Sequence, residues 1–498
     1  MEDKATHAHE IAAQDQLWLH MDRPNNLMIV RALMWLDEEP DWSVVEQVLT
    51  ERLVERYPVF SQRPVSDRGD WKWVKDECFS LDRHLTHTTL ADADGDALRK
   101  YVGTQFAEPL PRDRPLWKIE VIHGVADIDG NQRPVLLSSF HHSVADGIRL
   151  VQVTLGLCDD VGDAMPKIVG RGGDEGRHPL VDGALAMVRR GVSDGVDLGL
   201  SATKAGLALP IRTLQALIDP KSLKNEVTAG IELLVNPSNV IDLIESLTKE
   251  DNATVNTGTE LTRLLSASRA TKTSWSGVPT QAKQVAWASD LPLPPLKEAA
   301  RRHQGTVNDA MLAVISMALT AYLHEHDSLV EQIQWLVPVS IQPLDAELPA
   351  ELGNHFALVY LEMPLGVDDP GELFAALQQR MLRIKHSAVP ILTSGLQWLV
   401  AESPKQIAVA LTNFFANKGT GVLTNVPGPR APITFAGVEV TRMLGWAPAS
   451  GDQPLCLCIY SYNGTMSVGV SADAQLVPDP ERIAELIKTA YDDLVATT

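Results

Sequence analysis

Two adjacent histidines, His141 and His142, follow a strand-like apolar run at 135–140 and precede Asp146 and Gly147. Imidazole is the side chain best suited to moving a proton near neutral pH. Because successive side chains on a strand point to opposite faces, we expect one histidine to enter a cavity and the other to brace the backbone. This divergence argues against a metal site, which needs convergent ligands. A pair of hydrogen-bonded core histidines stays open as the structural alternative.

The elements that must hold this motif are those of an α/β protein with mixed sheets. In the first third of the chain, apolar runs at 27–36, 116–125 and 134–140 predict strands. Asp41 is placed to cap one helix, and a second helix is expected at 97–106. Similar patterns return in the last part of the chain. They predict strands at 284–288, 333–339, 356–363, 438–443 and 455–462 and helices at 293–303, 306–323 and 480–496.

The region between these two parts has a different composition. A Gly-rich polar loop, weakly amphipathic segments and, at 251–276, a tract rich in Ser, Thr and Asn replace the strand patterns. We therefore predict two domains, 1–160 and 281–498, joined by a helical crossover and flexible linker over 161–280.

Bulk composition excludes several classes of function. Of the 498 residues, 45% are hydrophobic and 21% are charged, as in ordinary globular proteins. The formal net charge of −21 and the lack of a basic block argue against nucleic-acid binding. The first residues are acidic rather than an export signal, and uncharged stretches such as 310–323 fall short of the ~18 residues of a membrane span. We expect a cytoplasmic protein, at most peripheral to the inner membrane face or to lipid droplets.

Four short motifs elsewhere in the chain place polar or conformationally restricted residues next to predicted elements. They are Pro115-Leu116-Trp117, Asn308-Asp309, Gly353-Asn354 and Thr424-Asn425, the last of which runs into a Pro-Gly-Pro bend. Each has a structural alternative, such as core packing for the tryptophan, a capping box with Thr306 for Asp309, and a turn for Gly353. None of the four is specific alone.

The order Pro-Leu-Trp, His-His-x-x-x-Asp-Gly, Asn-Asp and Thr-Asn-Val-Pro-Gly-Pro along the chain resembles that of the bacterial wax ester synthase/acyl-CoA:diacylglycerol acyltransferase family. The segments 15–18 and 25–28 resemble its N-terminal part, and Thr424 departs from it, because the family commonly has serine there. The resemblance covers nearly the whole chain. It implies two chloramphenicol-acetyltransferase-like domains with the active-site tunnel between them. It also implies acyl transfer from acyl-CoA to the hydroxyl of diacylglycerol or a fatty alcohol, which gives triacylglycerol, wax ester or both.

The resemblance assigns the role of general base to His142. A thioester is already activated, so an alcohol can attack it once a base removes the hydroxyl proton, and neither an acyl-enzyme nor a cofactor is required. We expect His141 to be structural and Asp146 to hold the loop through a salt bridge or backbone contacts. Gly147 is expected to let the backbone turn without a Cβ.

The remaining motif residues are expected to contact substrate. Thr424 and Asn308 are candidates to donate hydrogen bonds to the thioester oxyanion, although Asn308 also fits a role in shaping the helix start. The other expected substrate-binding residues are Pro115, Leu116, Trp117, Asp309, Gly353, Asn354 and Asn425.

Other functions stay open at this point. The same core motif occurs in condensation domains that take acyl groups from carrier proteins, so the donor or the acceptor can differ. His141 and Asp146 also satisfy the His-x4-Asp pattern of glycerolipid acyltransferases, which use the first histidine. Ser193 matches the Gly-x-Ser-x-Gly elbow of a serine lipase or esterase, but the residues before it look helical rather than extended. A non-catalytic lipid-surface protein is the last alternative, and the intact His-Asp-Gly motif argues against it.

Overall fold

The computed structural model describes most of the chain outside its middle region. The described residues are 8–67, 70–126, 130–159, 161–162, 270–340, 348–386, 397, 401 and 405–496. Two six-stranded mixed sheets dominate them, and a small three-stranded sheet lies beside the first.

The first six-stranded sheet carries His141 at the end of a central strand. From edge to edge its strands are β12 (Thr434–Phe435), β13 (Val438–Trp446), β2 (Ile29–Leu36), β7 (Gln132–His141), β6 (Trp117–Ala126) and β5 (Leu85–Ala93). All neighbours are antiparallel except β5 and β6, which are parallel. The last eight residues of β7 are buried, which is why its sequence is a nearly continuous apolar run.

The second six-stranded sheet is built from later residues. Its strands in spatial order are β10 (Phe356–Pro364), β9 (Gln332–Ser340), β11 (Gly421–Pro427), β14 (Leu455–Tyr462), β15 (Thr465–Asp473) and β8 (Lys283–Pro292). Strand β11 runs parallel to both of its neighbours, and the other pairs are antiparallel. The small sheet has the order β1 (His9–Glu10), β4 (Asp70–Lys75) and β3 (Gln62–Asp67).

Helices pack around these sheets. In the described ranges they are α1 (Ala13–Met21), α2 (Trp42–Leu49), α3 (Gly95–Gln105), α4 (Gly147–Gly156), α5 (Leu293–Arg302), α6 (Val307–Glu325), α7 (Pro370–His386), α8 (Lys405–Ala416) and α9 (Pro480–Ala496). A π-helical turn (Thr50–Val54) continues α2, and 3₁₀ turns occupy Pro58–Ser61 and Leu81–Arg83. Asp41 caps α2 as predicted, because its carboxylate accepts a hydrogen bond from the Ser43 N–H at 2.9 Å.

Helix α6 is the centre of the larger core. By length and composition alone this 19-residue helix is long and apolar enough to cross a membrane. Most of its side chains are nevertheless buried in the protein, where they pack with α5, α7 and α9. We therefore interpret α6 as a core helix.

The two halves of the chain are interlocked. Strands β12 and β13, which come late in the sequence, complete the first sheet by pairing with β2. A shared core joins Leu98 and Val102 of α3 to Val285 of β8 and Trp446 of β13. The first sheet is therefore not the product of one contiguous half of the chain, whereas every strand of the second sheet comes from the later half.

The strands and helices predicted from sequence patterns are present, with ends shifted by a few residues. Most of the predicted linker 161–280 lies outside the described residues, and the proposed domain boundaries stay a prediction. At the end of that linker, Trp275 is fully buried in the α6 core. Trp275 is thus packed, although it lies within the range predicted as helical crossover and flexible linker.

Candidate active site

The chain turns sharply at the end of β7. The His141 N–H donates to the Leu116 carbonyl at 3.0 Å, and the His142 N–H donates to the Met28 carbonyl at 2.8 Å. Helix α4 begins five residues later with Asp146 as its N-cap. The backbone at both histidines is therefore fixed by neighbouring strands and loops.

His141 turns into a polar network away from its neighbour. Its Nδ1 accepts the Ser143 N–H at 3.1 Å and lies 2.8 Å from the Ser143 hydroxyl. Because Nδ1 is an acceptor, the ring proton belongs on Nε2, which lies 3.6 Å from the Asp22 carboxylate. Asp22 also accepts from the Met28 N–H and from the Arg112 guanidinium. The contacts of His141 are those of a brace, and its structural role stays a prediction.

His142 lies between two aromatic rings. The Trp18 ring centroid is 4.1 Å from that of the imidazole, and the Phe356 centroid is 5.6 Å away. The side chain is 7% exposed, and this burial lowers the pKa of His142 to about 4 despite the opposing field of Asp146. At neutral pH the imidazole is therefore uncharged and able to accept a proton.

Asn354 links His142 to the first helix. Its Nδ2 donates to the His142 carbonyl at 2.8 Å and to the Asp15 carboxylate at 2.7 Å. Its backbone N–H also donates to Asp15, at 3.2 Å. The asparagine predicted as a substrate contact is thus bonded to the backbone of the predicted base.

Asp15 belongs to this site, although sequence reasoning gave it no role. Burial raises the pKa of Asp15 to about 7, against the lowering effects of the Asn354 hydrogen bonds and of Arg149. The family-like segment 15–18 contains both Asp15 and Trp18, and that resemblance was the only sequence signal for either residue. The contact of Asp15 with Asn354 spans 339 positions and that of Trp18 with His142 spans 124, so no periodicity predicts them.

Asp146 holds the loop through backbone contacts. One carboxylate oxygen accepts the Arg149 N–H at 3.0 Å and the other accepts the His355 N–H at 2.8 Å. Its own N–H points to the Gly353 carbonyl, 3.4 Å away. The carboxylate thereby joins the first turn of α4 to a loop of the second half, as an expected brace would.

The two motif glycines differ. Gly353 has a φ of +154°, which side-chain-bearing residues rarely adopt, and a Cβ there would meet the Asp15 carboxylate at 3.4 Å. Gly147 has no positive φ, and a Cβ there would have no atom within 4 Å. The expected reason for Gly147, a turn that excludes a Cβ, is therefore wrong, because the residue opens α4 beside unfilled space.

An apolar cavity lies against the residues that surround His142. It encloses about 860 Å³ of empty space, including its opening to solvent, and Trp18, Asn354 and Phe356 form part of its wall. The rest of the wall is mainly apolar and includes Leu336 of β9 and Phe415 of α8. Elements from both halves of the chain therefore enclose a space suited to a hydrocarbon chain.

In the Pro115-Leu116-Trp117 motif, Leu116 and Trp117 belong to the hydrophobic core that packs on the first six-stranded sheet, and no residue of the motif lines this cavity. Trp117 is 1% exposed, its Nε1–H donates to the Phe60 carbonyl at 2.9 Å, and its ring stacks on His84. Leu116 contributes the carbonyl that holds the His141 backbone. The structure thus favours the packing alternative over substrate contact for this motif.

The remaining predicted residues form a second group at β11 and α6. Asn425 donates to the Asn308 side-chain oxygen at 2.8 Å, while Thr424 lies on the buried face of β11. Asp309 accepts from the Thr306 N–H at 2.8 Å and completes the predicted capping box. Within the described part of the chain, no hydrogen bond joins this group to the His142 group. The oxyanion role expected of Thr424 and Asn308 stays a prediction.

Two other expectations concern metals and serine chemistry. No cluster of three or more potential metal ligands is found among the described residues. Ser193 and its Gly-x-Ser-x-Gly pattern lie outside the described residues.

Comparison with known proteins places these features in a family. The family model "wax ester synthase/diacylglycerol acyltransferase catalytic domain" matches residues 11–311, and the corresponding C-terminal domain matches residues 352–495. A probable diacylglycerol O-acyltransferase of Mycobacterium tuberculosis is 25% identical over 439 residues, which cover 86% of this chain and 82% of the relative. The O-acyltransferase WSD of Acinetobacter baylyi is 24% identical over 489 residues, which cover 93% and 92%.

Solved structures confirm the fold class. The wax ester synthase/diacylglycerol acyltransferase of Marinobacter aquaeolei superimposes with a TM-score of 0.64 at 18% identity, covering 98% of this chain and 99% of that one. The first condensation domain of the calcium-dependent antibiotic synthetase gives a TM-score of 0.51 at 14% identity, covering 99% and 97%. The predicted two-domain, mixed-sheet acyltransferase fold is thus confirmed.

Proposed function

Because the chain belongs to the wax ester synthase/diacylglycerol acyltransferase family, we propose that this acyltransferase moves a long-chain acyl group from acyl-CoA to diacylglycerol or a fatty alcohol. The observation that carries the proposal is the uncharged, buried imidazole of His142, whose neighbours Trp18, Asn354 and Phe356 line an apolar cavity. A neutral imidazole accepts the hydroxyl proton, and the cavity offers an acyl chain a place out of water.

The proposed reaction is a direct transfer. His142 takes the proton of the acceptor hydroxyl while the hydroxyl oxygen attacks the thioester carbonyl carbon. The tetrahedral intermediate then expels coenzyme A as the thiolate, which takes the proton back from the imidazolium. The atoms balance with ester and free coenzyme A as products, so the reaction uses acyl-CoA as a substrate and needs no further cofactor.

The test is a product analysis with two acceptors. Purified protein is incubated with labelled palmitoyl-CoA and either hexadecanol or diacylglycerol, and the lipids are separated. We expect label in wax ester, triacylglycerol or both, matched by release of free coenzyme A. Label found only in free fatty acid would contradict acyl transfer and indicate hydrolysis.

Two controls address the alternatives. Ser193→Ala should leave transfer unchanged, and a loss of activity there would support a serine esterase instead. Transfer from palmitoyl-acyl carrier protein without transfer from palmitoyl-CoA would show that the proposed donor is wrong.

The acceptors also bear on location. Diacylglycerol and long-chain alcohols partition into membranes and lipid droplets. We therefore propose that this protein is cytoplasmic and makes peripheral contact with such surfaces. Flotation with phosphatidylcholine vesicles that contain diacylglycerol, compared with vesicles that lack it, tests this. Equal and negligible flotation with both would contradict the proposed contact.

A further inference from the structure

Strand β10 forms one wall of the apolar cavity. Its side chains at Phe356, Leu358 and Tyr360 line the cavity and are partly exposed, whereas Leu361 and Met363 are buried in the α6 core. Because alternate residues of a strand share one face, the three lining side chains form a straight row along the cavity. Position along β10 therefore measures distance along the cavity wall.

One end of this row lies beside the proposed base. The Phe356 ring centroid is 5.6 Å from that of His142. A strand rises by about 3.3 Å per residue, which puts the Cα of Tyr360 about 13 Å beyond that of Phe356. Each residue contributes three backbone bonds, so an extended alkyl chain beside the strand covers this distance with roughly 12 carbon–carbon bonds. With the few bonds between His142 and Phe356 added, a hydrocarbon chain reaches Tyr360 after about 14 to 16 carbon atoms.

Tyr360 lies at the other end of the row. Its hydroxyl donates to the Phe415 carbonyl of α8 at 2.7 Å, so the side chain connects the sheet to the helix. Its partner across the strand pair, Leu336 of β9, also lines the cavity. The next residue on this face of β10 is Glu362, which does not line the cavity. Burying a carboxylate against a hydrocarbon is costly, so the apolar path along β10 ends at Tyr360.

We propose that Tyr360 limits the length of the substrate hydrocarbon chain that this protein accepts. The proposal rests on the proposed function, which places the reacting end of the chain at His142. Saturated chains occur both in the acyl group of acyl-CoA and in a long-chain alcohol, and the experiment distinguishes the two. A tyrosine suits this position because its ring is apolar while its hydrogen bond to a helix backbone holds the ring in place.

Substitutions on β10 should move the limit in opposite directions. Tyr360→Ala removes the ring that ends the row and should lengthen the preferred chain by about two to four carbon atoms. Leu358→Trp fills the cavity about 7 Å nearer to His142 along the strand and should shorten the preferred chain by several carbon atoms. Tyr360→Phe keeps the ring and should keep the limit.

The measurement is kcat/KM of the full-length protein for two series of saturated substrates. Acyl-CoA varies in one series at fixed hexadecanol, and the alcohol varies in the other at fixed palmitoyl-CoA. In the series whose chain occupies the cavity, each added methylene group should raise kcat/KM about fourfold up to about 14 to 16 carbon atoms, with no gain beyond. The series in which Tyr360→Ala moves this limit identifies the substrate that the cavity holds.

The matched control is Tyr491→Leu. Tyr491 also donates its hydroxyl to a backbone carbonyl, that of Pro292, but belongs to the α6 core. This variant should leave both length profiles unchanged, and a shift as large as that in Tyr360→Ala would overturn the inference. Wild-type profiles in both β10 variants, in both series, would overturn it too. If Tyr360→Ala does not fold, an unshifted limit in Leu358→Trp is contradictory on its own.

Binding without turnover separates this inference from the proposed function. Because Trp18 lines the cavity, quenching of tryptophan fluorescence reports the binding of each series in the absence of the second substrate. A wild type that forms no ester, but whose affinity rises to a limit that Tyr360→Ala extends, would contradict the proposed function and leave the role of Tyr360 intact. Affinities that do not depend on chain length in either series would overturn that role, whether or not ester forms.

Discussion

The ends of β7 and β11 both carry polar motifs, but in opposite surroundings. At β7 the His142 side chain is buried against the Trp18 ring, and the His142 carbonyl is joined through Asn354 to Asp15. At β11 the Asn425 side chain is exposed and donates one hydrogen bond to Asn308. A buried network fixes the geometry of a reacting group before substrate arrives, whereas an exposed pair exchanges its hydrogen bond with water at little cost. We therefore expect the chemistry to depend on the first site and substrate adjustment to occur at the second.

The largest effect should come from the proposed base. His142→Ala should lower acyl transfer by roughly 10²- to 10⁴-fold, because no other group replaces the proton acceptor. The measurement is initial-rate formation of labelled ester, with a thermal melt to show that the protein stays folded. His326→Gln is the control, since that histidine contacts Tyr322 away from the site. Near-normal turnover in His142→Ala, with a loss in His141→Ala, would move the base to the first histidine.

The second effect concerns Asp146, whose carboxylate joins the first turn of α4 to the loop 353–355. Asp146→Asn leaves one acceptor where the carboxylate has two, so the N–H of Arg149 or of His355 loses its partner. We expect a loss of about 1–3 kcal/mol in the free energy of unfolding and a lowered Tm. Differential scanning fluorimetry measures it, and an unchanged Tm would show that the loop 353–355 is held by other contacts.

The third effect is a pH dependence of stability. The pKa of Asp15 is raised to about 7, so the native state holds an extra proton between about pH 4 and 7 relative to the unfolded chain. The stabilisation that this provides is lost as pH rises through 7. Asp15→Asn removes the dependence while keeping an oxygen that accepts from Asn354. Its Tm relative to the wild type should therefore rise from pH 5 to pH 8.

The His142 ring does not disturb this comparison. Burial lowers the pKa of His142 to about 4, and because the substitution leaves that burial in place, we expect its contribution to cancel in the difference between the two Tm values. A difference that stays constant over the whole pH range would mean that Asp15 keeps an ordinary pKa in the folded protein.

The smallest effect is expected at the exposed pair. A double-mutant cycle with Asn308→Ala and Asn425→Ala should give a coupling energy below about 1 kcal/mol, because water replaces the lost partner. Chemical unfolding of the four proteins measures it. A coupling of several kcal/mol would place the second site in the same class as the first and remove the contrast between them.

Local rules predicted what depends on neighbours in the sequence. Strand alternation separated the directions of His141 and His142, and the spacing of Thr306 and Asp309 predicted a capping box. The pairing of Asp15 with Asn354 follows from no local rule, since 339 positions separate them. Residues that only the tertiary fold brings together were therefore the ones missed.

Tertiary contacts that the sequence does not reveal also decided the role of Pro115-Leu116-Trp117, the motif that sequence reasoning assigned to substrate contact. Trp117 was a candidate for lining a cavity and is instead a core residue stacked on His84. A buried aromatic in a strand has the same sequence signature in either role. The packing against Phe60 and His84 that decides between them is a tertiary contact.

The late position of β13 has a consequence for biosynthesis. A nascent chain that has released only its first 160 residues holds β2, β5, β6 and β7, but β2 still exposes the edge that β13 later covers. Such an open edge is prone to pairing with other chains. Until residue 446 has left the ribosome, this apolar sheet is unfinished, so the chance of aggregation is greatest during synthesis. A chaperone that shields the edge of β2 would act at that stage and become dispensable once β13 is in place.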